Sequence, residues 1–270
     1  MLHRIFALLC CFLCILRAEY SCDEFKCSDY KIGLGALAGI HNTSLHDMSM
    51  LGITLNTLFS QYSAKYGFMW NLTFGFLNAN VKNGNNNVIA YDKDRFNTYG
   101  AYIDSTIFLG KNVKNDVQNL LFLGVVLGLG GFIFDEKYGV PDSALFALGL
   151  GLSGSYLMQN NLALEYGISY LYGFYGIYTY PETYQKYSPA RFGTSTSYSR
   201  LEVNNHQIRA FIGLHKNKLY GLYSKLHLTL THLDAAAFSV INRDGVSSVY
   251  PQATQAMLGL EFGFGFNKWF

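Results

Sequence analysis

Six ionisable residues are the first candidates for chemistry, because each falls on the polar side of an alternating apolar pattern. Opposite charges that share a low-dielectric interior must pair with one another. We therefore expect either an ion-pair network that plugs an interior, which we favour, or a polar lining for a small-solute pore. Glycines on the same side of the pattern argue for the pore, since they leave space. The six residues are Asp104, Glu165, Arg209, Lys225, His227 and Glu261.

Three of these residues are expected to lie close together. Arg209, Lys225 and Glu261 fall on the last three predicted strands of the chain. Neighbouring strands bring side chains on the same face within contact distance. We therefore expect these three to be neighbours inside the molecule.

A hydrolytic site is the competing kind of chemistry. A histidine base beside carboxylates could activate water at the rim of a barrel. Such residues occur in the predicted connections, but no recognisable spacing motif joins them, and polar loops commonly contain them. We therefore expect no enzyme, no cofactor and no metal site. The residues concerned are His46, Asp47, Asp92, Asp94, Asp135 and Glu136.

The elements that position these side chains are strands. Over residues 162–174, the even positions are apolar or aromatic and the odd positions are mostly small or polar. A period of two is typical of a β-strand with two different faces. The glycine-rich runs 127–131 and 149–154 alternate with leucine in the same way, and neither precedes a helix that would bind phosphate. Ten such segments occur, at about 30–41, 50–60, 66–78, 98–110, 118–131, 143–157, 162–175, 204–216, 220–233 and 254–270.

The connections between these segments predict a membrane barrel. Short and long connections alternate, and the longer, polar ones are 79–97, 132–142, 176–203 and 234–253. Outer-membrane barrels have short periplasmic turns and long extracellular loops. The fold class is therefore an all-β, transmembrane, antiparallel β-barrel of ten strands, with eight strands as the runner-up. A soluble barrel or sandwich would also alternate, but glycine and serine make a poor solvent-facing surface.

The N-terminus resembles an export signal. Residues 5–16 form an apolar core behind a basic start, too short to span a bilayer. We expect a signal peptide over 1–18, a short periplasmic segment over 19–29 and the barrel over 30–270. Cys22 and Cys27 are close enough in sequence for a disulfide in an oxidising compartment, with free thiols as the alternative.

The C-terminal strand carries a family resemblance. Its alternating apolar residues and terminal phenylalanine resemble the signal that the bacterial barrel-assembly machinery reads, although Lys268 stands where an aromatic is common. The tyrosine- and asparagine-rich loops and the scarce proline are similar to those of small Helicobacter outer-membrane proteins. This resemblance implies a family of adhesins, porins and proteins of unassigned role. The signal residues are Phe262, Phe264, Phe266 and Phe270.

Composition excludes several functions. Only 14% of residues are charged, against about 25% in an average soluble domain. Without Arg4 and Arg17 of the export signal, 18 basic residues face 18 acidic ones, so nucleic acid is not an expected partner.

We expect a bacterial outer-membrane protein with a structural or interaction role, or a narrow porin-like channel. Its expected partners are outer-membrane lipid, the barrel-assembly machinery and a host or surface ligand at the loops, including the tyrosine-rich loop 176–203.

Overall fold

The fold is built from ten long strands. They are β1 (Lys26–Thr43), β2 (His46–Ser63), β3 (Tyr66–Asn83), β4 (Arg95–Asn112), β5 (Asn119–Phe134), β6 (Asp142–Leu157), β7 (Leu162–Thr179), β9 (Asn205–Lys216), β10 (Tyr220–Leu233) and β13 (Ala253–Phe266). The computed structural model describes residues 26–44, 46–63, 65–83, 95–114, 119–135, 140, 142–158, 162–179, 198–201, 204–216, 220–236, 240–241, 247–248 and 251–266. Among these residues, no helix is long and apolar enough to cross a membrane.

The ten strands close into an antiparallel barrel. Each long strand pairs with its neighbour in the chain, and β1 closes the ring by pairing with β13. Closure removes every free strand edge, as a membrane interior requires. Three short strands lie outside the ring: β8 (Tyr198–Arg200) extends the end of β7, and β11 (Val240–Ile241) pairs with β12 (Ser247–Ser248). The predicted ten-stranded antiparallel barrel is therefore confirmed.

The strands β1 to β7 are longer than the predicted segments, whereas β9, β10 and β13 are not. Their lengths of 12 to 18 residues exceed the roughly 9–11 that a tilted strand needs to cross a bilayer. β1 begins at Lys26, within the segment 19–29 that we expect to precede the barrel. The additional residues extend the barrel wall beyond the apolar band at both ends.

Large apolar side chains cover the outside of the barrel. Leu34 is 70% exposed and Phe76 is 74% exposed, and along each strand such residues alternate with buried ones. A soluble protein rarely exposes a continuous apolar surface of this kind. A band that surrounds the molecule matches the lipid-facing surface of a membrane barrel.

One bulge changes which residues of β7 face outward. Phe146 pairs with Tyr175 while Ala147 pairs with Gly173, so Phe174 is the extra residue. Phe174 and Tyr175 are both substantially exposed. A bulge shifts the two-residue alternation by one position. Beyond it, even-numbered residues such as Tyr178 point into the barrel, opposite to the earlier part of the strand.

The inward glycines do not leave open space. A side-chain carbon at Gly33 would collide with the Tyr223 hydroxyl, and one at Gly259 would collide with the His227 ring. The expectation that glycines open the interior is wrong at these positions, because large side chains from β10, one strand away from Gly259 and two strands away from Gly33, lie over them. The glycines instead make room for the side chains that fill the barrel.

Candidate functional site

The candidate site is the interior of the barrel, which side chains cross at two levels. We call the end where β1 begins and β13 ends the terminal end, because Tyr30 pairs there with Phe266. The opposite end, where β1 turns into β2, is the loop end. Along β7, Glu165 marks the level nearer the terminal end, and Ser169, which pairs with Arg209, marks the second. Four residues separate the two levels, roughly 13 Å along the strand.

The level nearer the terminal end is the Lys31 cluster, made of Asp29, Lys31, Glu165 and His215. The Lys31 ammonium donates to both carboxylate oxygens of Glu165, at 2.7 and 2.6 Å. It also lies 3.0 Å from Asp29 Oδ2 and 3.5 Å from His215 Nδ1. Lys31 is only 1% exposed, so its charge depends on these partners.

The Lys31 cluster bridges the lumen. Lys31 is on β1 and Glu165 is on β7, which are four strands apart by the shorter way round the ring. Side chains separated in this way meet only by reaching across the interior. A second contact, 3.4 Å between His215 Nδ1 and Glu165 Oε1, holds the acid from the β9 side. The cluster therefore closes the terminal end.

The Lys31 cluster also has the ligand types of a metal site. Ligand atoms of Asp29, Glu165 and His215 all lie within 4.8 Å of one another. Carboxylate and imidazole groups are common zinc ligands. The Lys31 ammonium contacts all three side chains. Its positive charge takes the place that a metal ion would have among these ligands.

The second level is the Arg209 bridge. The Arg209 guanidinium donates from Nη2 to Asp104 Oδ1 at 2.7 Å and from Nη1 to Asp104 Oδ2 at 3.0 Å. Nε donates to Gln207 at 2.6 Å, and Nη1 also contacts the Thr106 hydroxyl. Two parallel bonds to one carboxylate fix both direction and distance. Arg209 on β9 and Asp104 on β4 are again four strands apart, so this pair also crosses the lumen.

The third ion pair is looser and runs along the wall. Lys225 and Glu261 are direct partners on adjacent strands, yet their closest charged atoms are 3.6 Å apart. Lys225 Nζ also lies 5.1 Å from the centre of the Phe211 ring. Glu261 is buried, and its Oε2 atom has no hydrogen-bond partner within the described part of the chain. Of the three residues expected to be neighbours, Lys225 and Glu261 are in contact, whereas Arg209 bonds to Asp104 instead.

Two cavities lie on either side of the Arg209 bridge. The larger has a volume of about 70 Å³ and lies toward the terminal end, lined by Lys225, His227, Phe211 and the bridge itself. The smaller has a volume of about 20 Å³ and lies toward the loop end, lined by Gln207, Thr231 and Gln255. Asp104 contributes to both linings. Tyr102 and Thr229 also contribute to both linings, so these side chains and the bridge together separate the two spaces.

The loop half of the interior is mostly apolar. Leu37, Met48, Met50, Phe132 and Met257 are all buried there in one packed group, which we call the loop-half cluster. Phe132 stacks on Phe134 with ring centres 5.8 Å apart. Dense packing of these large side chains leaves little free space within the cluster itself.

Among the described residues of the rim, the side chains of His46 and Asp47 do not lie together. His46 points inward, is fully buried and stacks on His41 with ring centres 5.7 Å apart. Asp47 is the next residue of β2 and lies exposed on the opposite face. Successive strand residues point to opposite faces, so these two cannot act on one substrate group. Asp92, Asp94 and Glu136 lie outside the described residues.

Sequence reasoning missed Asp29, Lys31 and His215. Lys31 lies in register with Gly33 and Gly35, on the polar side of the alternation in β1, and that signal was available. By its position near the end of a predicted strand, His215 is expected to be an interfacial histidine with no special role. Its side chain instead points to Glu165 inside the barrel.

The terminal candidates are only partly described. Phe262 and Phe264 face outward and are more than half exposed, whereas Phe266 ends β13. Cys27 lies in β1. Residues 1–18, where an export signal is expected, lie outside the described residues, as do Cys22 and Phe270.

The comparisons with known proteins identify the fold. No protein-family model matches the chain, and no curated protein matches it. Among solved structures, the Escherichia coli outer membrane protease OmpT is similar with a TM-score of 0.57 and 10% identity, over 89% of this chain and 96% of OmpT. OprG from Pseudomonas aeruginosa aligns with a TM-score of 0.39 and 10% identity, over 90% of this chain and 96% of OprG. With the closed ring of ten strands, the chain has the fold of an outer-membrane β-barrel protein.

Proposed function

We propose that this chain is a bacterial outer-membrane surface protein whose barrel is closed at rest and whose loops carry its interactions. The observation that carries the proposal is the pair of ion-paired levels that cross the lumen, Lys31 with Glu165 and Arg209 with Asp104. A polar channel would keep its charged groups along the wall. Here they reach the opposite wall and bind each other.

The energetics favour a closed interior. Removing one partner of a buried ion pair costs about 3–5 kcal/mol, because the other charge is left without compensation. Opening the lumen at this level would separate the Lys31 ammonium from the Glu165 and Asp29 carboxylates. These charges would then be left without partners until water entered. The loop-half cluster adds a second obstruction of packed apolar side chains. Thermal motion alone would rarely separate both levels together.

The proposed orientation places the terminal end in the periplasm. The longer connections 79–97, 176–203 and 234–253 then all lie on the cell exterior, which is the usual arrangement in this fold. Tyrosine and arginine in 176–203 are residue types favoured at binding surfaces. We propose a host or surface ligand as the partner of these loops, outer-membrane lipid around the apolar band, and assembly through Phe262 and its neighbours. The proposal assigns no catalytic step to the rim.

A narrow gated channel is the second candidate function. It is favoured by the two cavities, which share the lining residues Tyr102, Asp104 and Thr229. Joining them would require movement of these side chains together with Arg209. The Lys31 cluster would remain as the last barrier to the terminal end.

The proposal is tested with the refolded chain lacking residues 1–18, in liposomes. We expect barrels that are folded, as judged by heat-modifiable gel migration, and that allow no swelling in small sugars. In intact cells, added protease should cleave an inserted site within 176–203 but not one at 217–219. Swelling by folded wild-type barrels would contradict the closed state, and the reverse cleavage pattern would contradict the orientation.

A further inference from the structure

Lys225 differs from the other buried cations of the interior. The Arg209 and Lys31 charges each make close hydrogen bonds to carboxylates, at 2.6 to 3.0 Å. The described contacts of Lys225 Nζ are Glu261 at 3.6 Å and the Phe211 ring at 5.1 Å. An ammonium group has three donors, and 3.6 Å is too long for a hydrogen bond. Within the described part of the chain, Lys225 is therefore a buried cation whose donors are unused.

The larger cavity lies directly beside this lysine. Lys225 and His227 line it from β10, while Arg209 and Asp104 line it from the bridge. Asp104 is engaged by both terminal nitrogens of Arg209, so its charge is already neutralised. Glu261 is not part of the lining. Among the lining residues, Lys225 thus carries the one positive charge whose carboxylate partner, Glu261 at 3.6 Å, is not itself part of the lining.

The size of the cavity sets the size of a ligand. Its volume of about 70 Å³ corresponds to roughly five water-sized spheres. Neutral donors such as Thr106, Ser153 and Ser169 also line it. Phe211 and Phe108 close its sides with apolar surface, which strengthens electrostatic attraction inside.

We propose that this cavity is a binding site for a small monovalent anion of the size of a halide or formate, with Lys225 as its main donor. The anion would accept hydrogen bonds from the ammonium group, because Glu261 is too far away to accept them. This inference does not depend on whether the barrel is closed at rest. It requires only the folded barrel.

The test compares bromide with gluconate, which is too large for the cavity. Wild-type barrels are refolded in each sodium salt at equal ionic strength, and the midpoint of thermal unfolding is followed by gel migration. Bound ligand stabilises the folded state by RT ln(1 + c/Kd), where c is the free ligand concentration, so the midpoint rises with the logarithm of ligand concentration above Kd. We expect a higher midpoint in bromide, and its concentration dependence gives the half-maximal bromide concentration, at which half of the sites are filled.

Three variants make the test specific. Lys225→Met with Glu261→Gln removes both charges without leaving a buried acid unpaired, and it should abolish the bromide shift. Glu261→Gln alone removes the competing carboxylate and should lower the half-maximal bromide concentration at least about tenfold. Lys111→Met, which alters an exposed lysine of β4, should leave the shift unchanged.

The location is tested by crystallography. Crystals grown in bromide should show an anomalous peak beside Lys225 Nζ in the wild type and none in the double variant. The proposal is overturned by an equal bromide shift in the wild type and the double variant, by the absence of any shift in the wild type, or by an unchanged half-maximal concentration in Glu261→Gln.

Discussion

The two halves of the barrel interior are filled in different ways. Toward the terminal end, charged side chains of opposite walls bind one another through Lys31 and Arg209. Toward the loop end, methionine and phenylalanine side chains such as Met50 and Phe132 pack without charge. The same wall of alternating strands supports both. Apolar side chains such as Met69, Phe108 and Phe122 also fill the terminal half, so the halves differ in their charged pairs and not in whether side chains pack.

The two kinds of closure respond differently to change. A buried ion pair is sensitive to the loss of either charge, since the remaining partner is left in a low-dielectric space. Apolar packing responds to volume, because a truncated side chain leaves a cavity. The charged groups of an ion pair can exchange each other for water or an added ion, whereas packed apolar side chains gain nothing from either. We therefore expect any separation of the side chains that fill the lumen to begin at the ion pairs.

The largest expected effect comes from Lys31→Met. The variant leaves Glu165 and Asp29 buried without their cation, and we expect a loss of about 3–5 kcal/mol in the free energy of unfolding. Urea titration of the refolded barrel in detergent measures it. Lys31→Met combined with Glu165→Gln should recover much of the loss. Wild-type stability in the single variant would show that the Lys31 cluster does not hold the terminal end.

The second effect is expected from Met50→Ala in the loop-half cluster. Met50 is 1% exposed, and truncation of a buried methionine costs about 2–5 kcal/mol. The same urea titration measures the loss, and liposomes of this variant should not swell. Swelling after Met50→Ala alone would mean that apolar packing, and not the ion pairs, keeps the lumen closed.

The smallest effect is expected from alanine substitutions at two inward glycines of β13, which should differ in their cost to stability. A methyl group at Gly259 would collide with the His227 ring, so Gly259→Ala should cost about 1–3 kcal/mol through overpacking. At Gly265, the nearest atoms to a methyl group are 3.4 Å away, so Gly265→Ala should change stability by less than about 0.5 kcal/mol. Equal losses at both positions would contradict the role of glycine as space for neighbouring side chains.

The sequence predicts the wall of the barrel better than its interior. Alternation of Leu164, Tyr166 and Ile168 with smaller residues identifies a strand and its inward face, because the side-chain period is two. It also places Asp104 and Arg209 on inward faces. Which inward residues meet depends on the number of strands, their tilt and their bulges, none of which is a local property. The Asp104–Arg209 pair joins strands more than 100 residues apart in sequence, so no spacing could reveal it.

Two errors have the same physical origin. Lys225 and Glu261 are adjacent as expected, but Arg209 reaches across the lumen because its long side chain can span it. His215 looked interfacial by its position near a strand end, yet the inward register takes it to Glu165. In both cases the distance across the barrel, and not the distance along the wall, decides the contact.

Single-channel recording of the refolded chain lacking residues 1–18 tests the central claim most directly. Wild-type barrels, shown to be folded by heat-modifiable migration, should give no conductance steps in a planar bilayer. A variant with Arg209→Ala, Asp104→Ala, Lys31→Ala and Glu165→Ala removes the charged side chains of both levels. Combined with Met50→Ala and Phe132→Ala in the loop-half cluster, it should give discrete, reproducible steps. Steps of the same size from the wild type would contradict the account, because the ion pairs would then not close the lumen.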